Sequence, residues 1–325
     1  MTLDKGVSVI RRFLPLLLAL LLGAALVACG DDSGEPNADE TSGGSTLDEL
    51  EIAGEVGSNP EVTWDGELEA DKIETKVVTE GDGDEIETGD QVFAHIWIGN
   101  GFTQEQAYST YDDEAAQLLT VDEAQLSPLF LAGLEGQTVG SRVAIAASAK
   151  TAFGEAGNPQ INIGNEDTVL TVVDMISTVE DGPEGKNQKA PSWVPSLQGD
   201  EDAPTGFDFV GTPEPTDKFR TAVLVEGEGE VVETGQTIAV NYLGQVYDGK
   251  KPFDGSYSGG QPASFAIGVG SVVEGWDQAL VGQTIGSRVV LAIPPDLGYG
   301  DKGNEQAGIK GTDTLYFVVD ILGAA

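Results

Sequence analysis

Apolar and polar residues alternate in three segments of the C-terminal half, 237–243, 287–293 and 314–322. A period of two is typical of β-strands that bury one face. The residues expected to point inward are Ile238, Val240, Tyr242, Val289, Leu291, Ile293, Leu315, Phe317, Val319 and Ile321. Segment 272–280 instead spaces its apolar residues as a helix does, and Gly282 follows it as a stop signal. The pattern predicts an α+β fold, a curved antiparallel sheet against one short helix.

The chain repeats itself at a constant offset of 146 residues. Segments 80–90 and 226–236 share six of eleven residues, and segments 134–143 and 280–289 share eight of ten. Segments 167–174 and 313–320 share five of eight, and every pair is separated by the same 146 positions (226 − 80, 280 − 134, 313 − 167). Because solenoid repeats are only 20 to 50 residues long, this period indicates a duplicated domain.

Composition shifts mark the boundaries of the two copies. Six prolines lie among glycines and acidic residues between residue 180 and about residue 217, which predicts an extended, semi-stiff linker. Within this region, segment 207–209 is a candidate first strand of the second copy. We therefore expect a first domain at 60–179, a proline-rich linker at 180–203 and a second domain at 204–325.

The N-terminus has the pattern of an export signal. Basic residues precede an apolar run at 13–28, which is too short for a bilayer span of about 20 residues. The run ends in Leu-Val-Ala-Cys-Gly, which resembles a bacterial lipobox and implies cleavage before Cys29 and lipid attachment to its thiol. An ordinary signal peptide with a chance cysteine is the alternative. We expect a signal peptide at 1–28 and a flexible acidic tether at 29–59 that is anchored to the cell membrane through Cys29.

Charge and soft-ligand content exclude several classes of function. The 55 acidic and 16 basic side chains give a formal net charge of −39, which repels nucleic-acid backbones and anionic lipid headgroups. One cysteine cannot form an intrachain disulfide, and with one histidine it leaves too few ligands for a structural zinc site. We expect no nucleic-acid partner, no metal and no cofactor.

An ordered set of motifs in the second copy closely resembles the FKBP-type peptidyl-prolyl cis-trans isomerases, the macrolide-binding immunophilins. The resemblance covers about residues 223–323, and the ordered set is specific although each piece is weak. The matching pieces are VNYLG at 240–244, DGKKPFD at 248–254, VVEGW at 272–276, LGYG at 297–300 and LYFVV at 315–319. The family implies a half-barrel sheet wrapped on a short helix, with an apolar pocket floored by Trp276.

Position by position, the resemblance implies three catalytic residues, Tyr299, Asp254 and Tyr242. Tyr299 would donate its hydroxyl to a substrate carbonyl, the amide of Val273 would be a second donor, and Asp254 would orient Tyr242 or face the rotated carbonyl. The implied substrate-binding residues are Phe253, Phe265, Val272, Val273, Trp276, Ile309 and Phe317.

The residue types alone leave plainer interpretations open. Trp276, Tyr242 and Phe317 could be ordinary core residues, and Asp254 beside a glycine is most simply a turn residue. Tyr299 is the exception, because an aromatic residue between two glycines of a turn has little packing reason to be there. Gly259 stands near the position where the family often has an arginine, which bears on the macrolide ligands that the resemblance implies.

The first copy lacks the implied chemistry. Subtracting 146 converts Tyr242 to Ile96, Asp254 to Tyr108, Trp276 to Phe130, Tyr299 to Phe153 and Phe317 to Thr171. We expect this copy to keep the fold with little or no activity. The single histidine, His95, corresponds to Asn241 and is expected to be a strand residue without a catalytic role.

The sequence therefore predicts an extracytoplasmic, lipid-anchored prolyl isomerase that assists the folding of exported, proline-containing polypeptides through its C-terminal domain. A non-catalytic, chaperone-like lipoprotein that only holds peptides is the first alternative. A surface adhesin that uses both domains as spacers is the second.

Overall fold

The computed structural model describes residues 46–112 and 115–325, which form two compact units, 46–178 and Val179–Ala325. The predicted signal peptide, Cys29 and the start of the predicted tether lie outside the described residues. Within the described part of the chain, no helix is both long enough and apolar enough to cross a bilayer.

The first unit is built on a six-stranded antiparallel sheet. Its elements are β1 (Glu51–Ala53), β2 (Glu61–Thr63), β3 (Glu74–Thr79), β4 (Gln91–Asn100), β5 (Glu105–Ser109), β6 (Gln117–Thr120), α1 (Pro128–Leu134), β7 (Arg142–Ser148), α2 (Ala149–Phe153) and β8 (Thr168–Thr178). The strand order is β3-β7-β8-β4-β5, with β6 also paired to β4, while β1 and β2 form a separate hairpin.

The second unit is built on a seven-stranded antiparallel sheet. Its elements are β9 (Gly185–Asn187), β10 (Ser196–Gly199), β11 (Pro204–Asp208), β12 (Arg220–Gly227), β13 (Thr237–Val246), β14 (Asp254–Gly255), β15 (Ala263–Ala266), α3 (Glu274–Leu280), β16 (Arg288–Ile293) and β17 (Leu315–Ala324). The order is β14-β13-β17-β16-β12-β9, with β15 also paired to β13, while β10 and β11 form a separate hairpin.

The two sheets share strand order and register. Strands β12, β16, β17 and β13 follow one another as β3, β7, β8 and β4 do. His95 pairs with Asp174 across β4 and β8, and Asn241 pairs with Asp320 across β13 and β17. Both pairs are related by the offset of 146 residues, so the internal repeat extends to the hydrogen-bond register.

The predicted strand and helix pattern of the second copy is confirmed. All ten residues expected to point inward are buried in one core, together with Trp276 and Leu280 of the helix. The helix begins at Glu274, two residues later than the apolar spacing indicates, because Val273 has the extended backbone of an N-cap residue.

The predicted flexible tether and the predicted semi-stiff linker both contain ordered residues that the sequence analysis did not expect. Residues 46–59 of the predicted tether contain buried Leu47 and Leu50, and the predicted linker contains β9 and β10. These segments are poor in apolar residues on average. However, their few large side chains pack on the sheet face opposite the helix, as Leu50 does beside Trp97 and Leu197 beside Phe207. The second unit therefore begins at Val179 and not at residue 204.

Candidate active site

Trp276 is the centre of an aromatic cluster that joins α3 to the sheet. The indole is 1% exposed and meets three rings nearly at right angles. The ring centroids of Tyr242, Phe317 and Phe265 lie 5.3, 5.4 and 5.6 Å from it. Edge-to-face contacts of this kind are favourable because a ring edge is positive and a ring face negative. The cluster therefore holds Trp276 in one orientation.

A glycine on β13 makes room for two of these rings. A Cβ atom at Gly244 would lie 2.5 Å from Phe317 and 2.7 Å from Phe253, closer than side chains tolerate. With no Cβ present, the rings of Phe253 and Phe317 pack together at 5.6 Å and an interplanar angle of 87°. Gly244 is thus a requirement of the aromatic lining.

The other apolar residues predicted for the pocket belong to the same cluster. Val272, Val273 and Ile309 are buried in it, and Tyr299 packs against it from the turn between two 3₁₀ segments, Pro295–Leu297 and Gly300–Lys302. The hydroxyl oxygen of Tyr299 is buried. The structure thus brings together residues that are up to 75 positions apart in the sequence (317 − 242), and their roles in binding and catalysis stay predictions.

The indole N–H of Trp276 is a polar group that the sequence analysis did not single out. Its Nε1 atom is buried and has no hydrogen-bond partner among the residues that the structure describes. A buried donor left unsatisfied costs about 1–3 kcal/mol, so an acceptor on a bound ligand would be favourable here.

Asp254 lies at the edge of the cluster, on the short strand β14. Its Oδ1 atom accepts a hydrogen bond from the amide of Gly255 at 2.9 Å, as expected for a turn residue. Asp254 also lines a cleft together with Tyr242 and Phe253. Both interpretations of this residue from sequence therefore have a structural counterpart.

A buried ion pair fixes the loop that follows Asp254. Arg288 and Asp320 are 3% and 1% exposed, and Arg288 Nε donates to Asp320 Oδ1 at 2.6 Å. The hydroxyl of Tyr257 donates to Asp320 Oδ2 at 2.8 Å. Burial and the adjacent carboxylate raise the pKa of Tyr257. Burial alone would lower the pKa of Arg288, but the hydrogen bonds and charge of Asp320 outweigh it and raise that pKa.

The sequence analysis missed this network, although Arg288 and Asp320 both lie inside the repeated segments. Both residues recur at the offset of 146, and that recurrence is the signal that could have revealed them. Arg142 Nε donates to Asp174 Oδ1 at 2.6 Å, and the Tyr111 hydroxyl donates to Asp174. A charged pair that both copies retain inside strands points to a shared structural role.

Asp277 is a second missed residue, and it connects the helix to a glycine-rich loop. Its carboxylate accepts hydrogen bonds from the amides of Gly268 at 2.6 Å and Gly270 at 2.8 Å. Both glycines have φ of +77°, which only glycine adopts readily. The loop connects Phe265 to Val272, so Asp277 positions one side of the cluster.

The equivalent positions in the first unit are filled by a different set of side chains. Ile98 occupies the position of Gly244, Thr171 that of Phe317, Ala107 that of Phe253 and Leu119 that of Phe265. All but Ala107 are buried or nearly so. The Tyr108 hydroxyl, at the position of Asp254, accepts a hydrogen bond from Gln117 at 2.8 Å. The carboxylate of Asp254 and the rings of Phe253, Phe265 and Phe317 thus have no equivalents at these positions, whereas Phe130 stands at the position of Trp276.

His95 lies on β4 of the first unit, and its ring has clear partners. It stacks on Tyr111 with centroids 4.1 Å apart, and its Nδ1 shares a hydrogen bond with Thr110 Oγ1 at 2.9 Å. Burial lowers its pKa, and the charge of Asp174 offsets part of that shift. Across residues 46–112 and 115–325, no group of three or more His, Cys, Asp or Glu side chains is arranged to hold a metal ion.

Comparison with known proteins identifies relatives of the second unit. The sequence model of the FKBP-type peptidyl-prolyl cis-trans isomerases matches residues 228–322. The FK506-binding protein of Streptomyces anulatus is 39% identical over 115 residues, which cover 35% of this chain and 92% of that protein. FK506-binding protein 2 of Dictyostelium discoideum is 39% identical over 111 residues, 34% of this chain and 82% of that protein.

A similar solved structure is the crystal structure of FkpA from Escherichia coli. It is 38% identical, covers 33% of this chain and 47% of that one, and has a TM-score of 0.30. On the sequence matches, the chain belongs to the FKBP-type peptidyl-prolyl cis-trans isomerase family, and the matched region lies in the second unit.

Proposed function

We propose that the second unit carries the isomerase activity and acts on prolyl bonds of exported polypeptides. The observation that carries this proposal is the aromatic cluster around Trp276, together with the buried hydroxyl of Tyr299. An apolar aromatic cluster of this kind can accept a prolyl ring. A donor beside it can orient the substrate carbonyl.

The reaction needs no covalent step. Twisting an X-Pro bond breaks amide resonance at a cost of about 18–20 kcal/mol. The twisted amide has lost its resonance and part of its carbonyl polarisation, so an apolar enclosure favours it over the planar ground state. Removing about 7 kcal/mol from the barrier accelerates the exchange roughly 10⁵-fold. Tyr242, Phe253, Trp276 and Phe317 would supply the enclosure.

We propose that the first unit is a degenerate copy of the same domain with little or no activity. Ile96, Phe153 and Thr171 replace the two tyrosines and Phe317. No hydroxyl donor stands at the position of Tyr299. Weak binding of client chains through Phe130 and Phe153 is compatible with this role.

We also propose that the chain is exported and anchored to the membrane by lipid on Cys29, which rests on residues 1–30 of the sequence alone. Cys29→Ala should move the protein from the membrane fraction to the soluble extracytoplasmic fraction. A variant that stays fully membrane-bound would contradict the anchor without affecting the proposed activity.

Protease-coupled isomerisation of a proline tetrapeptide tests the activity. Tyr299→Phe removes only one hydroxyl, and we expect kcat/KM to fall roughly 10-fold, because one hydrogen bond contributes about 0.5–1.5 kcal/mol. Phe153→Tyr in the first unit, the matched control, should leave kcat/KM unchanged. If the unaltered chain shows no acceleration but still binds the peptide, the non-catalytic, chaperone-like function is the correct one.

Macrolides are the second ligand class that we propose, because two of the relatives are named for binding FK506. Trp276 fluorescence should change on addition of such a ligand and not in Trp276→Leu.

A further inference from the structure

A cleft of about 460 Å³ adjoins the proposed active site, and one of its walls lies outside the region that matches the family. That wall is formed by Ala203, Pro204 and Thr205, which belong to the hairpin β10–β11. We call residues 196–208 the strap hairpin. The family match begins at residue 228, so the strap hairpin lies outside the matched region.

The cleft is continuous with the aromatic cluster. Tyr242 and Phe253 line both, and Asp254 stands between them on β14. Leu243, Pro252, Gly255, Tyr257 and Ser258 complete the lining. A peptide whose prolyl ring lies on Trp276 would therefore pass this cleft with one of its neighbouring residues.

The strap hairpin is held firmly against the sheet. Gln245 is 1% exposed, and its side chain accepts from the amide of Phe207 at 2.9 Å and donates to the carbonyl of Gly249 at 2.7 Å. Arg288 Nη1 donates to the carbonyl of Glu201 at 2.6 Å. The first unit has glycine at the position of Gln245. A wall anchored in this way binds a ligand without paying much ordering entropy.

The chemistry of the cleft fits a long basic side chain. Its walls offer the carbons of Pro204, Pro252 and Leu243, and among the described residues that line it Asp254 is the one with a charge. Lysine and arginine lay an apolar stem along such surfaces and keep the charged end beside a carboxylate. Three exposed acidic residues, 200–202, directly precede Ala203 in the cleft wall, and two exposed lysines, 250 and 251, directly precede Pro252. The acidic residues beside the cleft thus outnumber the basic ones.

We propose that this cleft binds the side chain of a lysine or arginine that flanks the isomerised proline in the client chain. The inference rests on the proposed function of the second unit and names its preferred substrates.

A set of proline peptides tests the proposal with the full chain. A single lysine is placed at each of the two positions before and the two positions after proline. Each peptide is compared with its norleucine and glutamate counterparts. We expect kcat/KM to be about 3-fold to 10-fold higher for lysine than for norleucine at one position at least, and lowest for glutamate. This advantage should shrink in 1 M salt because the ion pair is partly exposed.

Two variants fill the cleft from opposite walls, Ala203→Trp and Ser258→Trp, and Val210→Trp is the control. Val210 is 90% exposed and does not line the cleft. None of the three changes the net charge, so general attraction of cationic peptides to an acidic protein is the same in all. We expect the ratio of the lysine to the norleucine rates to fall to about 1 in either filled variant and to be kept in Val210→Trp.

A lysine advantage that persists in both filled variants, or its absence at all four positions in a chain that isomerises norleucine peptides, would overturn the proposal. Circular dichroism and thermal unfolding identify a filled variant that has lost its fold, and the other then decides. Failure to isomerise any peptide would instead refute the proposed function, and this inference with it.

Discussion

The two units have the same frame but different linings. Strand order, register and the buried Arg-Asp-Tyr network recur at an offset of 146 residues. In contrast, Gly244 and Phe317 in the second unit correspond to Ile98 and Thr171 in the first. The comparison teaches that the residues that maintain this fold can be separated from those that shape its site.

In each unit the buried arginine donates hydrogen bonds to the hairpin that precedes the sheet, and the number of these bonds differs between the units. Among the described residues, Arg142 donates to the carbonyls of Ala53, Gly54, Glu55 and Ser58, whereas Arg288 donates to one such carbonyl, that of Glu201. The family match does not include either hairpin. The repeat unit of this protein therefore extends beyond the region that the family model matches.

Removing the buried arginine should give the largest difference in stability. We expect Arg142→Met to lower the free energy of unfolding of the first unit by about 3–5 kcal/mol, because Asp174 is left buried without its partner. Arg288→Met should destabilise the second unit by less, since fewer carbonyls lose a donor. Urea unfolding, with hydrogen exchange to assign each transition, measures both. If the free energy of unfolding fell by less than about 1 kcal/mol in both variants, the stabilising role of the buried Arg-Asp pair would be contradicted.

A single methyl group at Gly244 should damage the site. In Gly244→Ala the new Cβ would displace the rings of Phe317 and Phe253, and we expect kcat/KM to fall about 10-fold to 100-fold, as for other displacements near 1 Å. Overpacking should also cost about 1–3 kcal/mol of stability. The matched variant Ile98→Ala should destabilise the first unit and leave kcat/KM unchanged. Equal loss of activity in both variants would assign catalysis to both units.

The sequence predicted the helix-facing core of the second unit from the alternation along its strands. Alternation in segments 237–243, 287–293 and 314–322 identified all ten inward residues, and the helical spacing before Gly282 located α3. The motif set then brought together residues from β13, α3 and β17. The alternation assigned residues to the helix side, but β16 and β17 are buried on both faces, and it did not reveal the second core around Phe207.

The same reasoning failed where local composition and long-range packing disagree. The segments around Leu47, Leu50 and Leu197 are acidic and rich in small residues, so they were predicted to be tether or linker. Their order comes from a sheet face formed by distant strands and from the donors of Arg142 and Arg288, which no local pattern contains. Asp277 was missed for a similar reason, because its partners are backbone amides of a loop.

Asp277 offers a test of how the second unit positions its lining. The first unit has Leu131 at this position. In Asp277→Ala the amides of Gly268 and Gly270 lose a charged acceptor, which should cost about 1–2 kcal/mol of stability. Because the loop carries Phe265 to Val272, KM for a proline peptide should rise while kcat changes little. Asp277→Asn, which keeps one acceptor oxygen, should recover part of the loss, whereas a structural effect unrelated to the loop would change both variants alike.

The smallest expected effect is a pH dependence of stability that His95 gives to the first unit. Burial lowers the pKa of His95 below its ordinary value of 6.5, so the unfolded chain binds the proton more readily than the folded unit does. The stability contributed by neutral His95 is therefore present above pH 6.5 and is lost as the pH falls towards the folded-state pKa. Asn241 stands at the equivalent position of the second unit and does not titrate.

His95→Asn provides the control for this dependence, because it copies the second unit and removes the titration. As the pH drops from about 7.5 to about 5, we expect the free energy of unfolding of the first unit to fall more in the parent chain than in His95→Asn. The second-unit transition should move identically in both chains, since its carboxylates are unchanged. A difference between the two chains that is constant with pH would mean that the stacking on Tyr111 holds charged and neutral His95 equally well.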